Sequence, residues 1–92
     1  MNIQFTMQVW PEGDRYVAYA KELDVSTSGR SVAEAKTRLH EAVEGFLEEA
    51  ERMGTLEQLL DEAGYVRTGD CWEAPEIVTM ERTVMALPRA HA

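Results

Sequence analysis

Ile3, Phe5, Met7 and Val9 alternate with Asn2, Gln4, Thr6 and Gln8. A period of two marks a strand buried on one face. Trp10 ends the run, and Pro11-Glu12-Gly13-Asp14 reads as a turn, in which Pro fixes φ early and Gly supplies the positive φ of a reversal. The alternation resumes from Arg15 to Ala20, with Tyr16, Ala18 and Ala20 on one face and Val17 and Tyr19 on the other. The two runs are expected to pair as a hairpin. Leu23 to Ser28 reads as a third, weaker strand, rich in Ser and Thr and closed by Gly29-Arg30.

The period then lengthens. Val32, Ala35, Leu39, Ala42, Phe46, Ala50 and Met53 recur every three or four residues, which predicts one long amphipathic helix over 31–54. Ser31 and Glu34 have the spacing of a capping box, and Gly54 supplies the stop. Thr55 and Gln58 repeat that spacing ahead of a short helix over 55–64, with Leu56, Leu59, Leu60 and Ala63 as its apolar face. Gly64 ends it, and Tyr65 is placed to fold back over the last turn. Residues 66–76 read as loop or irregular strand. A final strand is predicted over 76–87, where Glu81 and Arg82 break the apolar positions Val78, Met80, Val84 and Met85, so an edge or a bulge suits it. Residues 88–92 read as a frayed tail.

The expected architecture is α+β, with strand order β-β-β-α-α-β. Residues 1–30 give three strands of an antiparallel sheet, and the long and short helices pack on one face of it. Leu39 and Phe46 should lie under Ile3, Phe5, Tyr16 and Ala18.

Length sets the scale of the core. Ninety-two residues, 45% of them hydrophobic, make one domain spanning 1–92 with little apolar surface to spare. The net charge is -8, which argues against nucleic-acid backbone binding as the main activity, because that affinity comes from clustered Lys and Arg. Residues 31–65 hold nine acidic side chains against three basic ones. A solvated helix face explains this ordinarily. The sharper reading is a surface that receives a basic partner, with Glu44, Glu48, Glu51, Asp61 and Glu62 as the candidate contacts. The single cysteine, Cys71, rules out an intrachain disulfide. Together with the absence of a signal peptide or an apolar span, it predicts a cytoplasmic protein.

The residues offer little for catalysis. His40 has no second His or Cys at ligand spacing, so no metal is expected. Ser26, Ser28 and Ser31 lie near Gly29 but form no nucleophile elbow, and Ser31 is better used as a cap. Glu44 and Glu48, one turn apart, face water more simply than they form an acid pair. Asp24 and Glu22 suit a turn. No cofactor and no enzyme activity are expected.

Tyr16, Ala18, Glu22-Leu23, Gly29, Ser31, Glu34-Ala35, Ala42 and Phe46-Leu47-Glu48, taken in order, resemble the HicB-like antitoxin family. The likeness covers Gln4 to Tyr65. Physical roles suit these positions: Tyr16 packs the sheet, Gly29 makes the reversal, Ser31 caps, and Ala35 lets the helix approach the sheet. The resemblance implies a partial RNase H-like fold without catalytic residues. It implies binding and silencing of a small basic RNA-cleaving toxin, and assembly as a dimer or higher homo-oligomer. Val78, Met80 and Val84 are the candidate oligomer contacts, through a final strand that pairs across a two-fold axis or extends the sheet.

One departure bears on DNA. Many relatives continue into a ribbon-helix-helix or helix-turn-helix segment. Here residues 82–88 could begin one, but only four residues follow Pro88. No direct DNA binding is expected. The competing readings are an orphan homo-oligomeric domain without a toxin and, further off, a degenerate nuclease.

Overall fold

The computed structural model describes residues 1–89, so the part of the expected tail over 90–92, His91 included, lies outside the described residues. Strands β1 (Asn2–Ile3), β2 (Met7–Glu12), β3 (Arg15–Ala20) and β4 (Val25–Gly29) precede two helices, α1 (Val32–Arg52) and α2 (Leu56–Glu62). Strands β5 (Val66–Thr68) and β6 (Cys71–Glu73) follow. The fold is α+β, with two three-stranded sheets in place of one. β2-β3-β4 is antiparallel throughout, while β1-β6-β5 joins a parallel pair to an antiparallel one.

The first alternating run is therefore divided. Its phase holds across the break, since Ile3, Phe5, Met7 and Val9 all pack against the core. Gln4 to Thr6 lie in neither strand, and they hand the chain from one sheet to the other. The hairpin forms with a tighter turn than expected: Val9 pairs with Ala18 and Trp10 with Val17, Pro11 and Glu12 continue β2 rather than turning, and Gly13, at φ +62°, and Asp14 make the reversal.

α1 packs across the inner face of β2-β3-β4. Ser31 caps it, its Oγ accepting from the Glu34 N–H at 3.0 Å. Glu34 does not reach back to close the box, because its carboxylate pairs with Arg38 at 2.9 Å. Gly54, at φ +72°, takes the left-handed conformation just past the helix. The buried stripe is Ala35, Leu39, Val43 and Ala50. Val43 thus takes the central place expected of Phe46, which is only half-buried, as is Ala42. Val32 and Met53, expected on that stripe, are largely exposed at the two helix ends, beyond what the sheet covers.

Gly29 has a different role from the expected reversal. It is the last residue of β4, opposite Tyr16. A Cβ there would stand 2.7 Å from the Ala35 backbone nitrogen, so its missing side chain lets the first turn of α1 touch the sheet. The second capping box does not form. The Thr55 hydroxyl donates to the Ala50 carbonyl at 3.4 Å, and the Gln58 amide goes to Glu62 at 3.0 Å.

The predicted strand over 76–87 is absent, and the late strands are β5 and β6, within the stretch read as loop. β6 already has β1 on one side and β5 on the other, so no place beside it is open to the chain that follows. Pro75 sits against Gly64 and carries no N–H to extend a ladder. Beyond it, residues 76–89 form an arm in no strand, with Val78, Met80 and Val84 exposed. The arm lengthens the molecule to 55 Å and raises its radius of gyration to 16.8 Å. A compact chain of this length would have about 12 Å.

Candidate functional site

Glu22 sits where the two sheets meet. It follows β3, and both its oxygens accept from Thr6, one from the N–H and one from the hydroxyl, each at 2.6 Å. Partial burial disfavours its charge, but the bonds from Thr6 and from its own backbone, with Lys21 nearby, outweigh that and hold its pKa below the ordinary value. Tyr65, buried after α2, donates its hydroxyl to the Gln4 carbonyl at 2.6 Å. Burial, then the nearby Glu22 charge, push that phenol up to about 12, so it remains a donor. The Gln4 side chain accepts from the Ala74 N–H at 3.1 Å. Every member has a partner, and the cluster pins the Gln4–Thr6 crossing. Its chemistry is structural.

The acidic candidates occupy the opposite side of α1 from the core. At about 100° per residue, Glu44, Glu48 and Glu51 fall in one stripe turned away from Leu39 and Val43, and all three are exposed. Asp61 and Glu62 are exposed on α2. Among the described residues, Glu44, Glu48, Glu51 and Asp61 have no ion-pair partner, whereas Glu62 accepts from Gln58. Glu41, absent from the candidates, lies on the same exposed stripe, and its i, i+3, i+7 spacing to Glu44 and Glu48 was the signal for it. Among the described residues, no cation pairs with these acidic candidates on α1 and α2.

A second surface lies on the outer face of β2-β3-β4, which no helix covers. Trp10 and Tyr19 meet edge to face at 6.2 Å, with Val17 paired opposite Trp10. The Tyr19 hydroxyl donates to Asp24 at 2.9 Å, and Asp24 itself holds φ +55°, a left-handed conformation that Asp tolerates. That bond, partial burial and the Asp24 charge raise the Tyr19 pKa. Ser26 and Ser28 floor the remainder, so the face is a shallow trough rimmed by Glu12 and Asp24. The sequence carried one unread sign of it: Trp10 and Val17 are apolar residues in the outward phase of their strands.

The remaining reactive side chains are ordinary. His40 is exposed and stacks edge to face on Phe5 at 5.7 Å. It borders a shallow groove between β1 and α1 that Ile3, Val43 and Leu47 line. Cys71 is half-buried in β6. Among the described residues, no group of three or more His, Cys, Asp or Glu side chains could hold a metal ion. No helix there is long and apolar enough to cross a membrane. Comparison with protein-family models, with curated proteins and with solved structures finds no match to this chain.

Proposed function

We propose that this chain is a non-catalytic, HicB-like antitoxin-type protein that covers a small basic RNA-cleaving toxin in the cytoplasm. The observation that carries the reading is the exposed stripe of Glu44, Glu48 and Glu51, unpaired among the described residues and facing away from the core. A rigid helix bearing uncompensated charge of one sign steers a partner of the other sign. The ordered motifs behind the resemblance lend further support, because several have defined work in this fold. Glu22 clamps the crossing while Leu23 is buried, Gly29 and Ala35 make the close helix–sheet approach, and Ser31 caps α1. The net charge of -8 speaks for a protein partner over DNA.

The test is the association rate with a basic protein encoded beside this chain. Reversing Glu44 and Glu48 to Lys should slow association about tenfold at low salt, and it should flatten the salt dependence. The far-UV spectrum should not change. A rate indifferent to both salt and the reversals removes the acidic stripe from the contact.

The orphan homo-oligomeric domain is the second reading, and the observation favouring it is the arm. Val84 is 97% and Met85 82% exposed, an apolar segment that the single chain leaves uncovered. No bound protein from the same operon, together with a stable oligomer, would decide for it.

A further inference from the structure

We propose that the outer trough of β2-β3-β4 is the seat for residues 82–89 of a second copy, so that two chains exchange arms. This does not depend on the antitoxin reading. The first argument is charge. Residues 1–81 carry seven basic and seventeen acidic side chains, whereas residues 82–89, RTVMALPR, carry two arginines and no acid. That segment, which follows Glu81, is net +2, whereas residues 1–81 are net -10.

The second argument is fit. The trough has an apolar floor of Trp10, Val17 and Tyr19, with Glu12 at one rim and Asp24 at the other. Glu12 lies across from Arg15 at the start of β3, and Asp24 lies beyond Tyr19 near its far end. Arg15 and Arg30 share the first of these ends with Glu12 and Asp14 but do not line the trough, whose charged lining residues are Glu12 and Asp24. At about 3.3 Å per residue, the two rims stand roughly 15–20 Å apart along the strand. Arg82 and Arg89, seven residues apart, are separated by about 23 Å when extended, and their flexible side chains close the difference. Met85 and Leu87, 82% and 67% exposed, lie between the two arginines on one face of the extended segment and would meet the aromatic floor.

The third argument is direction. Pro75 against Gly64 and the Ala74–Gln4 bond fix where the arm leaves, and residues 76–89 are exposed throughout, uncovered by their own body. Exchange between two copies is closed and symmetric, which suits an arm and a seat carried on the same chain.

The experiment is sedimentation velocity of the full chain over a wide concentration range, with three further samples. Glu12→Lys with Ser26→Lys makes the trough basic and avoids the strained backbone at Asp24. Arg82→Glu with Arg89→Glu makes the arm acidic. The native chain should dimerise, each double variant should weaken dimerisation by about tenfold or more, and an equimolar mixture of the two variants should dimerise again. In that mixture each chain offers the other a complementary arm or trough. Circular dichroism confirms that each variant is folded. A native chain that stays monomeric overturns the proposal. So does a dimer lost with the arm reversal but untouched by the trough reversal, which would mean that arms pair with each other. Failure of the mixture to re-form the dimer also overturns it.

Discussion

Residues 2–12 and residues 76–87 are both mixed runs of apolar and polar side chains, and their surroundings are opposite. In the first, Ile3, Phe5, Met7 and Val9 all rest against the core. In the second, Val78, Met80, Val84, Met85 and Leu87 stand in solvent. The difference lies in what each run finds beside it. β2 has β3 across a two-residue turn, and β1 has β6. The arm follows a strand whose two edges are already filled. The ladder bonds are needed as much as the buried face, and although β1, β5, β2 and β4 each keep an outer edge, the arm pairs with none of them.

The largest break in this contrast is on the buried side. Leu39 is fully buried in α1 and is among the largest side chains completely enclosed. Leu39→Ala should cost about 3–5 kcal/mol, a large part of the stability of a domain this small. Phe46→Ala should cost less, because that ring is only half-buried. Urea melts of the two variants check the order.

Gly29→Ala tests contact of a different kind. The new Cβ would press on backbone at Ala35, which no rotamer change relieves. Forcing α1 off β4 should cost about 1–3 kcal/mol while leaving the helix content unchanged. An unaltered melting temperature would mean that the helix shifts freely.

Glu22 sharpens the comparison at the crossing between the sheets. Its folded pKa lies below its unfolded value near 4.5. Its contribution is therefore fully present above about pH 5 and is lost as pH falls through the lowered value. Glu22→Gln should lower stability at neutral pH by about 1–2 kcal/mol, the scale of hydrogen bonds to a charged group. The gap to the native chain should narrow in acid. A constant gap from pH 7 to pH 3 would show that the Thr6 clamp does not depend on charge.

The smallest effect belongs to the arm. Val84→Ser, measured at a dilution where chains are separate, should shift stability by less than about 0.5 kcal/mol. A larger loss would mean that the arm packs on its own body.

Much of the body could be read from the sequence because its periodicity is local. The β2–β3 hairpin, α1 with its Ser31 cap and the short helix follow from residues close together in the chain. What escaped depended on distant partners. Nothing near Gln4 announces that Trp72 and Tyr65 will take its backbone groups, so the split of the first run was hidden. β5 and β6 are three residues each, too short for a period to show. Val43 was passed over because Ala42 fits the three-and-four spacing equally well, and only the sheet's position chooses between them. The acidic candidates are all exposed, as composition suggested. The aromatic trough went unread because Trp10 was taken as the end of a strand that in fact continues through Glu12.

The pairing of Asn2 and Ile3 with Cys71 and Trp72 has a consequence for the order of events during synthesis. β2, β3, β4 and α1 make their contacts among residues 7–52 and can assemble as soon as they leave the ribosome. β1 cannot, because its only neighbour in its sheet lies some seventy residues later. Asn2 and Ile3 are thus among the last residues of this fold to be fixed, and until β6 emerges, Ile3 waits without its strand partner.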